Sequence, residues 1–175
     1  MKVLQYVRQW KSAAKEVVGH SILLAQFLSL LHVTDTYIFS STLVYGPSML
    51  PTLNFTGDVL LVEKLSPFLG KVGPGDVVLV RSPENPRKTI TKRIMGVEGD
   101  TVTFLVDPGH SDRSHSLVVR MWMMVPKGHV WIQGDNIYAS RDSRHLGPIP
   151  YGLILGKVFF RVWPPQDFGP LGQWD

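Results

Sequence analysis

Near position 35 the chain changes its physical character, from a basic flank and a long apolar run to short β-rich segments separated by Gly and Pro. Lys2, Arg8, Lys11 and Lys15 precede the single acid Glu16, and the apolar run 17–33 (VVGHSILLAQFLSLLHV) follows. A run of that length is about the minimum that crosses a hydrocarbon core. His20, Gln26 and His32 make it polar for a crossing, so it fits either a membrane-spanning helix or an amphipathic helix lying on a membrane surface or a partner. No small-residue cleavage site closes the run, which speaks against a cleavable secretory signal. If the helix spans, its positive flank puts the N-terminus on the matrix or cytoplasmic side and the remainder on the opposite side.

From Thr36 onward no segment with helical periodicity recurs, and the pattern reads as a mainly β domain. Strands are expected over 37–45, 59–65, 76–81, 89–97, 101–106, 117–124, 129–133 and 153–163, with turn chemistry at Gly73-Pro74-Gly75-Asp76 and Gly99-Asp100. Residues 107–116 (DPGHSDRSHS) form a polar loop, whose His110 and His115 read as solvated residues rather than a metal pair, so no metal site is expected. The Pro- and Gly-rich tail from Pro164 is expected to wrap the surface without regular structure. The resulting division is a basic flank and membrane anchor over 1–35, a catalytic-sized body over 36–163 and a tail over 164–175. A chain of 175 residues suits one domain with an appendage.

Composition narrows the chemistry. The net charge of +4 comes from scattered basic residues with no aromatic interleaving, which argues against nucleic acid as a partner. Hydrophobic residues at 44% and charged residues at 18% leave apolar surface for lipid or a protein partner. With no cysteine, disulfides, thiolate metal sites and a cysteine nucleophile are excluded, so any nucleophile is an oxygen or an amine.

Three segments carry residues that packing alone does not explain. In Tyr45-Gly46-Pro47-Ser48-Met49-Leu50-Pro51-Thr52-Leu53, prolines on both sides stiffen the backbone that presents the Ser48 hydroxyl. Serine beside proline is also ordinary turn composition, and this segment alone leaves both readings open. In Thr89-Ile90-Thr91-Lys92-Arg93-Ile94-Met95-Gly96-Val97, strand alternation puts Ile90, Lys92 and Ile94 on one face and Thr91 and Arg93 on the other. An ordinary lysine costs about 4.6 kcal/mol to deprotonate at pH 7, whereas burial can bring its pKa low enough to make it a base. A lysine that snorkels to solvent at a sheet edge is the competing reading. The third segment, Gly134-Asp135-Asn136-Ile137-Tyr138-Ala139-Ser140-Arg141-Asp142-Ser143-Arg144, reads by default as interlocked turns. Within it, Asp142 and Arg144 suit a bidentate pair that leaves Ser140 free to hydrogen-bond a lysine amine.

Taken in order, GPSMLPTL, KRIMGVEGD and GDNIYASRDSRHLGPIP resemble the motifs of the type I signal peptidase family of serine/lysine proteases, and the likeness covers nearly all of the chain after Val44. The resemblance implies an antiparallel β fold with a partly barrel-like core plus one N-terminal membrane-associated helix. It implies Ser48 as nucleophile, Lys92 as general base, Ser140 as the residue orienting Lys92, Asp142 with Arg144 as a structural ion pair, and no metal or organic cofactor. Bacterial members often carry serine two positions before the nucleophile; here that position is Gly46, so the Ser48 backbone amide is the expected oxyanion donor, aided by a water or a neighbouring amide.

Within the family, the single weak anchor and the ending LILGKVFFRVWPP are similar to the mitochondrial inner-membrane members. That likeness implies an enzyme facing the intermembrane space, removing sorting sequences from precursor polypeptides, and forming a heterodimer with a related catalytic subunit. The alternatives are a non-catalytic, partner-stabilising subunit and a chloroplast or bacterial signal peptidase. The family's substrates bind as an extended strand, here alongside 37–45 and 89–92, with small residues preferred at the first and third positions before the cut.

Overall fold

A computed structural model describes residues 2–106 and 119–171, so His110 and His115 lie outside the described residues. The chain divides into two compact units, 1–38 and 39–175. The first is a single helix, α1 (Lys2–Val33), closed by a π-helical turn at Thr34–Ile38. At 1.5 Å per residue α1 is roughly 48 Å long, and it extends well toward the N-terminus of the apolar run, through the basic flank. Its stretch Ala13–Ile38 is long and apolar enough to cross a membrane. Val17, Leu23, Phe27 and Leu30 are all exposed in the isolated chain, as an apolar helix that meets lipid requires.

The second unit is built from strands β1 (Phe39–Tyr45), β2 (Thr56–Glu63), β3 (Val77–Arg81), β4 (Thr89–Val97), β5 (Thr101–Val106), β6 (Val119–Met124), β7 (His129–Gln133), β8 (Ile149–Pro150), β9 (Ile154–Trp163) and β10 (Gly169–Pro170). Among the described residues the two remaining α-helices, α2 (Leu65–Phe68) and α3 (Ser143–Leu146), have four residues each. The main sheet runs β1-β2-β9-β3-β4-β7-β8, with β10 on β9, and every pairing is antiparallel. Register shifts at Val44/Tyr45, Leu79/Val80 and Ile94/Gly96 bend their strands and let the sheet curl into a half-barrel. The fold is therefore mainly β, antiparallel and partly barrel-like, as expected.

The core occupies both faces of the central strand β3. Val78 and Val80 pack with Ile94, Val130, Ile132 and Ile149 on one side, while Val77 packs with Met49, Leu53, Leu60, Val62 and Val158 on the other. A separate ribbon, β5–β6, docks through Phe104 on Trp131, ring centroids 4.4 Å apart. Gly96 allows this approach, because a Cβ there would sit 2.5 Å from Val102 Cγ2.

Two expectations change. The tail is not irregular: Pro165–Asp167 forms a 3-10 turn and Gly169–Pro170 pairs with Arg161 and Phe160. The Arg161 guanidinium secures it by donating to the Asp167 carbonyl at 2.9 Å. The second strand runs over Thr56–Glu63 rather than 59–65, and of the strand expected over 117–124 the described part is Val119–Met124.

Candidate active site

The chain leaves β1 at Tyr45 and turns at once through Gly46, whose φ of 110° is a conformation that side-chain-bearing residues rarely adopt. This gives a backbone reason for glycine where a serine would be strained. The Gly46 amide donates to the Phe55 carbonyl at 2.7 Å, closing the base of the loop. Pro47–Met49 then forms a 3-10 turn with proline at its start, where a missing amide costs nothing. Met49 and Leu53, each 3% exposed, are driven into the core beneath, so Ser48 sits on a turn nailed down by its neighbours. The Thr52 carbonyl accepts from Arg161 at 3.1 Å, and its hydroxyl donates to Asp135 at 2.5 Å.

Lys92 reaches this turn from β4. It is 3% exposed, and its Nζ lies 2.7 Å from Ser48 Oγ. The solvent-facing reading of this lysine is thereby removed. Burial lowers its pKa to about 8; Asp142 and Asp135 pull the other way, and Arg144 adds to the lowering. Residues 91–94 of β4 are buried on both faces, so the face opposite Lys92 is not solvent. There Arg93 pairs bidentately with Asp135, at 2.9 and 2.8 Å, and donates to the Gly75 carbonyl at 2.7 Å.

The loop between β7 and α3 completes the site. Asp142 is fully buried and receives Arg144 through Nε at 2.9 Å and Nη2 at 2.7 Å, the Gly134 amide at 2.8 Å and the Ser140 hydroxyl at 2.6 Å. Burial alone raises a carboxyl's pKa, but these donors and the Arg144 charge outweigh it and hold Asp142 below its ordinary value. The hydroxyl proton of Ser140 thus goes to Asp142, leaving its oxygen an acceptor. Gly134 brings the pieces together: a Cβ there would collide with both Ser140 Oγ and the Ser48 carbonyl. The Asn136 amide donates to the Ser48 carbonyl, and its side chain to that of Pro47, both at 3.1 Å.

Ser48, Lys92, Ser140, Asp142 and Arg144 therefore converge from three segments. Sequence reasoning missed Gly134, Asn136 and the linked group Thr52–Asp135–Arg93. The Gly-Asp-Asn run carried turn chemistry only, and its long-range partners leave no local signal.

A cleft of about 380 Å³ runs from Ser48 and Lys92 along Thr42–Tyr45 and Thr89–Thr91 to Ser82, Arg87 and Lys88. Both long walls have backbone to offer. β1 is the terminal strand of the sheet and, among the described residues, pairs only with β2. β4 pairs with β3 over Thr89–Arg93 but meets β7 only from Arg93 onward, so its first four residues have one edge without a strand partner among the described residues.

The family described as signal peptidase, peptidase S26, matches residues 16–110 and 107–163. Mitochondrial ATP-independent inner membrane protease subunit 1a of Arabidopsis thaliana is 60% identical over 171 residues, covering 98% of each chain. Mitochondrial inner membrane protease subunit 1 of Homo sapiens is 40% identical over 153 residues, 87% of this chain and 85% of the relative. Mitochondrial inner membrane protease subunit 2 of Danio rerio is 37% identical over 147 residues, 75% of this chain and 74% of the relative.

Proposed function

The chain belongs to the signal peptidase family, peptidase S26, and from that premise we propose that Ser48 is its nucleophile and Lys92 its general base. It is a serine endopeptidase with a signal peptidase role at the mitochondrial inner membrane. The observation that carries the assignment of roles is the 2.7 Å hydrogen bond between a buried lysine amine and a serine hydroxyl on a fixed turn.

With a pKa of about 8, Lys92 costs about 1.4 kcal/mol to deprotonate at pH 7, against about 4.6 for an ordinary lysine. The neutral amine accepts the Ser48 proton as Oγ bonds to the scissile carbonyl carbon. The resulting oxyanion is held by the Ser48 amide, which stands in the first turn of a 3-10 helix, where amides have no intrahelical acceptor. Lys92 then returns the proton to the departing nitrogen as the peptide bond breaks, leaving an ester on Ser48. A water, deprotonated by the same amine, attacks the ester, and the proton passes back to Ser48 as the acid product leaves. Ser140, fixed by its donation to Asp142, orients the amine through its remaining lone pairs, and Asp142 with Arg144 holds that geometry.

The residues before the cut extend along Thr42–Tyr45 and Thr89–Thr91 as an added strand. The substrates are sorting sequences of precursors, and the product side is the intermembrane space. The basic flank before the apolar helix supports that orientation. In this reading residues 1–35 anchor the catalytic body of 36–163, and 164–175 form its tail. Relatives named as subunits 1 and 2 fit a multi-subunit enzyme, and we assign a related catalytic subunit as the partner in a heterodimer.

The test is cleavage of a precursor by the full chain in lipid vesicles across pH 6–10. The expected kcat/KM rises about tenfold per pH unit and bends near pH 8, and Ser48→Ala removes it. A flat profile, or cleavage surviving in Ser48→Ala, defeats the mechanism.

A further inference from the structure

The end of the cleft remote from the reacting pair is basic. Arg87 and Lys88 line it from the loop joining β3 to β4. That loop is internally braced: the Ser82 amide donates to the Lys88 carbonyl and the Lys88 amide to the Asn85 carbonyl, both at 2.9 Å, while the Arg87 amide donates to the Asn85 side chain at 3.1 Å. Its one acid, Glu84, is occupied elsewhere, taking the Arg141 guanidinium through Nε at 2.9 and 2.8 Å. This solvent-exposed ion pair links the loop to the segment that carries Ser140 and Asp142, on either side of Arg141. Arg87 and Lys88 have no ion-pair partner among the described residues and are exposed. The cleft thus presents two uncompensated cations on a hydrogen-bonded loop.

We propose that Arg87 and Lys88 form a specificity subsite for an acidic side chain on the substrate, four to six residues before the cut. The position follows from geometry and rests on the reading that residues before the cut run beside the start of β4. Lys88 precedes Lys92 by four positions, about 13 Å in an extended strand. A substrate strand in register therefore brings its fourth to sixth residue upstream of the scissile bond to these cations. Because the pair is exposed, the attraction is modest and falls with ionic strength. An anionic lipid headgroup carries the same charge, but lining the cleft that ends at Ser48 favours the peptide.

The experiment uses the full chain in vesicles of phosphatidylcholine, with peptides spanning a cleaved junction that carry Glu, Gln or Lys at the fourth to sixth position before the cut. The expected kcat/KM for Glu over Lys is about fivefold in wild type at low salt. The ratio falls below one in the double variant Arg87→Glu with Lys88→Glu, and shrinks toward one at 0.5 M salt in both. Equal rates for all peptides in wild type overturn the subsite, as does a preference the double variant retains or one that maps to residues after the cut. If the double variant slows every peptide alike, and only when anionic lipid is added, the cations read the membrane and the proposal fails. A Ser48→Ala chain that still cleaves defeats the nucleophile assignment instead, so the two failures are separable.

Discussion

Lys92 and Arg93 are consecutive residues of one strand, each 3% exposed, and the fold treats them in opposite ways. Arg93 meets a carboxylate in fork-to-fork geometry plus a carbonyl, so its charge is matched atom for atom. Lys92 meets a neutral hydroxyl, and no carboxylate lies within ion-pair distance of it among the described residues. Equal burial thus leaves one cation compensated and drives the other toward its uncharged form. The difference is one of partners rather than of depth.

The strongest way to break the contrast is Lys92→Arg, which puts a group that does not deprotonate where the base must stand. Cleavage of a precursor should fall by roughly 10⁴-fold or more while the chain stays folded; near-normal turnover would mean that Lys92 is not the base. Removing Arg93's partner attacks the other half. Asp135→Ala strands a buried guanidinium and should cost about 3–5 kcal/mol in denaturant unfolding of the detergent-solubilised chain. An unchanged midpoint would show that the pair is not what compensates Arg93.

A third variant sharpens the comparison through pH. The Lys92 pKa is about 8 in the fold and 10.5 without it, so the folded state binds fewer protons between those values and its stability rises with pH there. Below pH 8 the full cost of the buried cation is present, and above 10.5 it is gone. Lys92→Met should therefore gain up to roughly 3 kcal/mol over wild type at pH 6–7, with the gap closing as pH approaches 10.5. A gap constant with pH contradicts the lowered pKa. The smallest effect tests the support: Gly134→Ala separates Ser140 from the Ser48 carbonyl and should lower kcat about 10²-fold with KM less affected.

Much of this arrangement was legible before any coordinates. Alternation put Lys92 on the face of Ile90 and Ile94, and flanking prolines marked Ser48 as held on a stiff turn. The pairing of Asp142 with Arg144 needed only one intervening residue and complementary charge. What escaped depends on contacts between distant segments. Thr52 reaches Asp135 across 83 positions, and Arg93 reaches it across 42. Strand β9 inserts between β2 and β3, and nothing local in its sequence announces that place. The expected role of Ser140 toward the lysine amine named no partner for its own proton, which goes to Asp142. The tail looked irregular because proline and glycine dominate it, and its order comes from Arg161 on a neighbouring strand.

The outer edge of β1, which has no strand partner among the described residues, has a consequence for inhibition. Main-chain amides and carbonyls are common to every polypeptide, so an edge that recruits them is blind to identity until side chains are read. A rigid strand mimetic bearing only small substituents should accordingly compete with any precursor, and its potency should track how well its backbone is held extended.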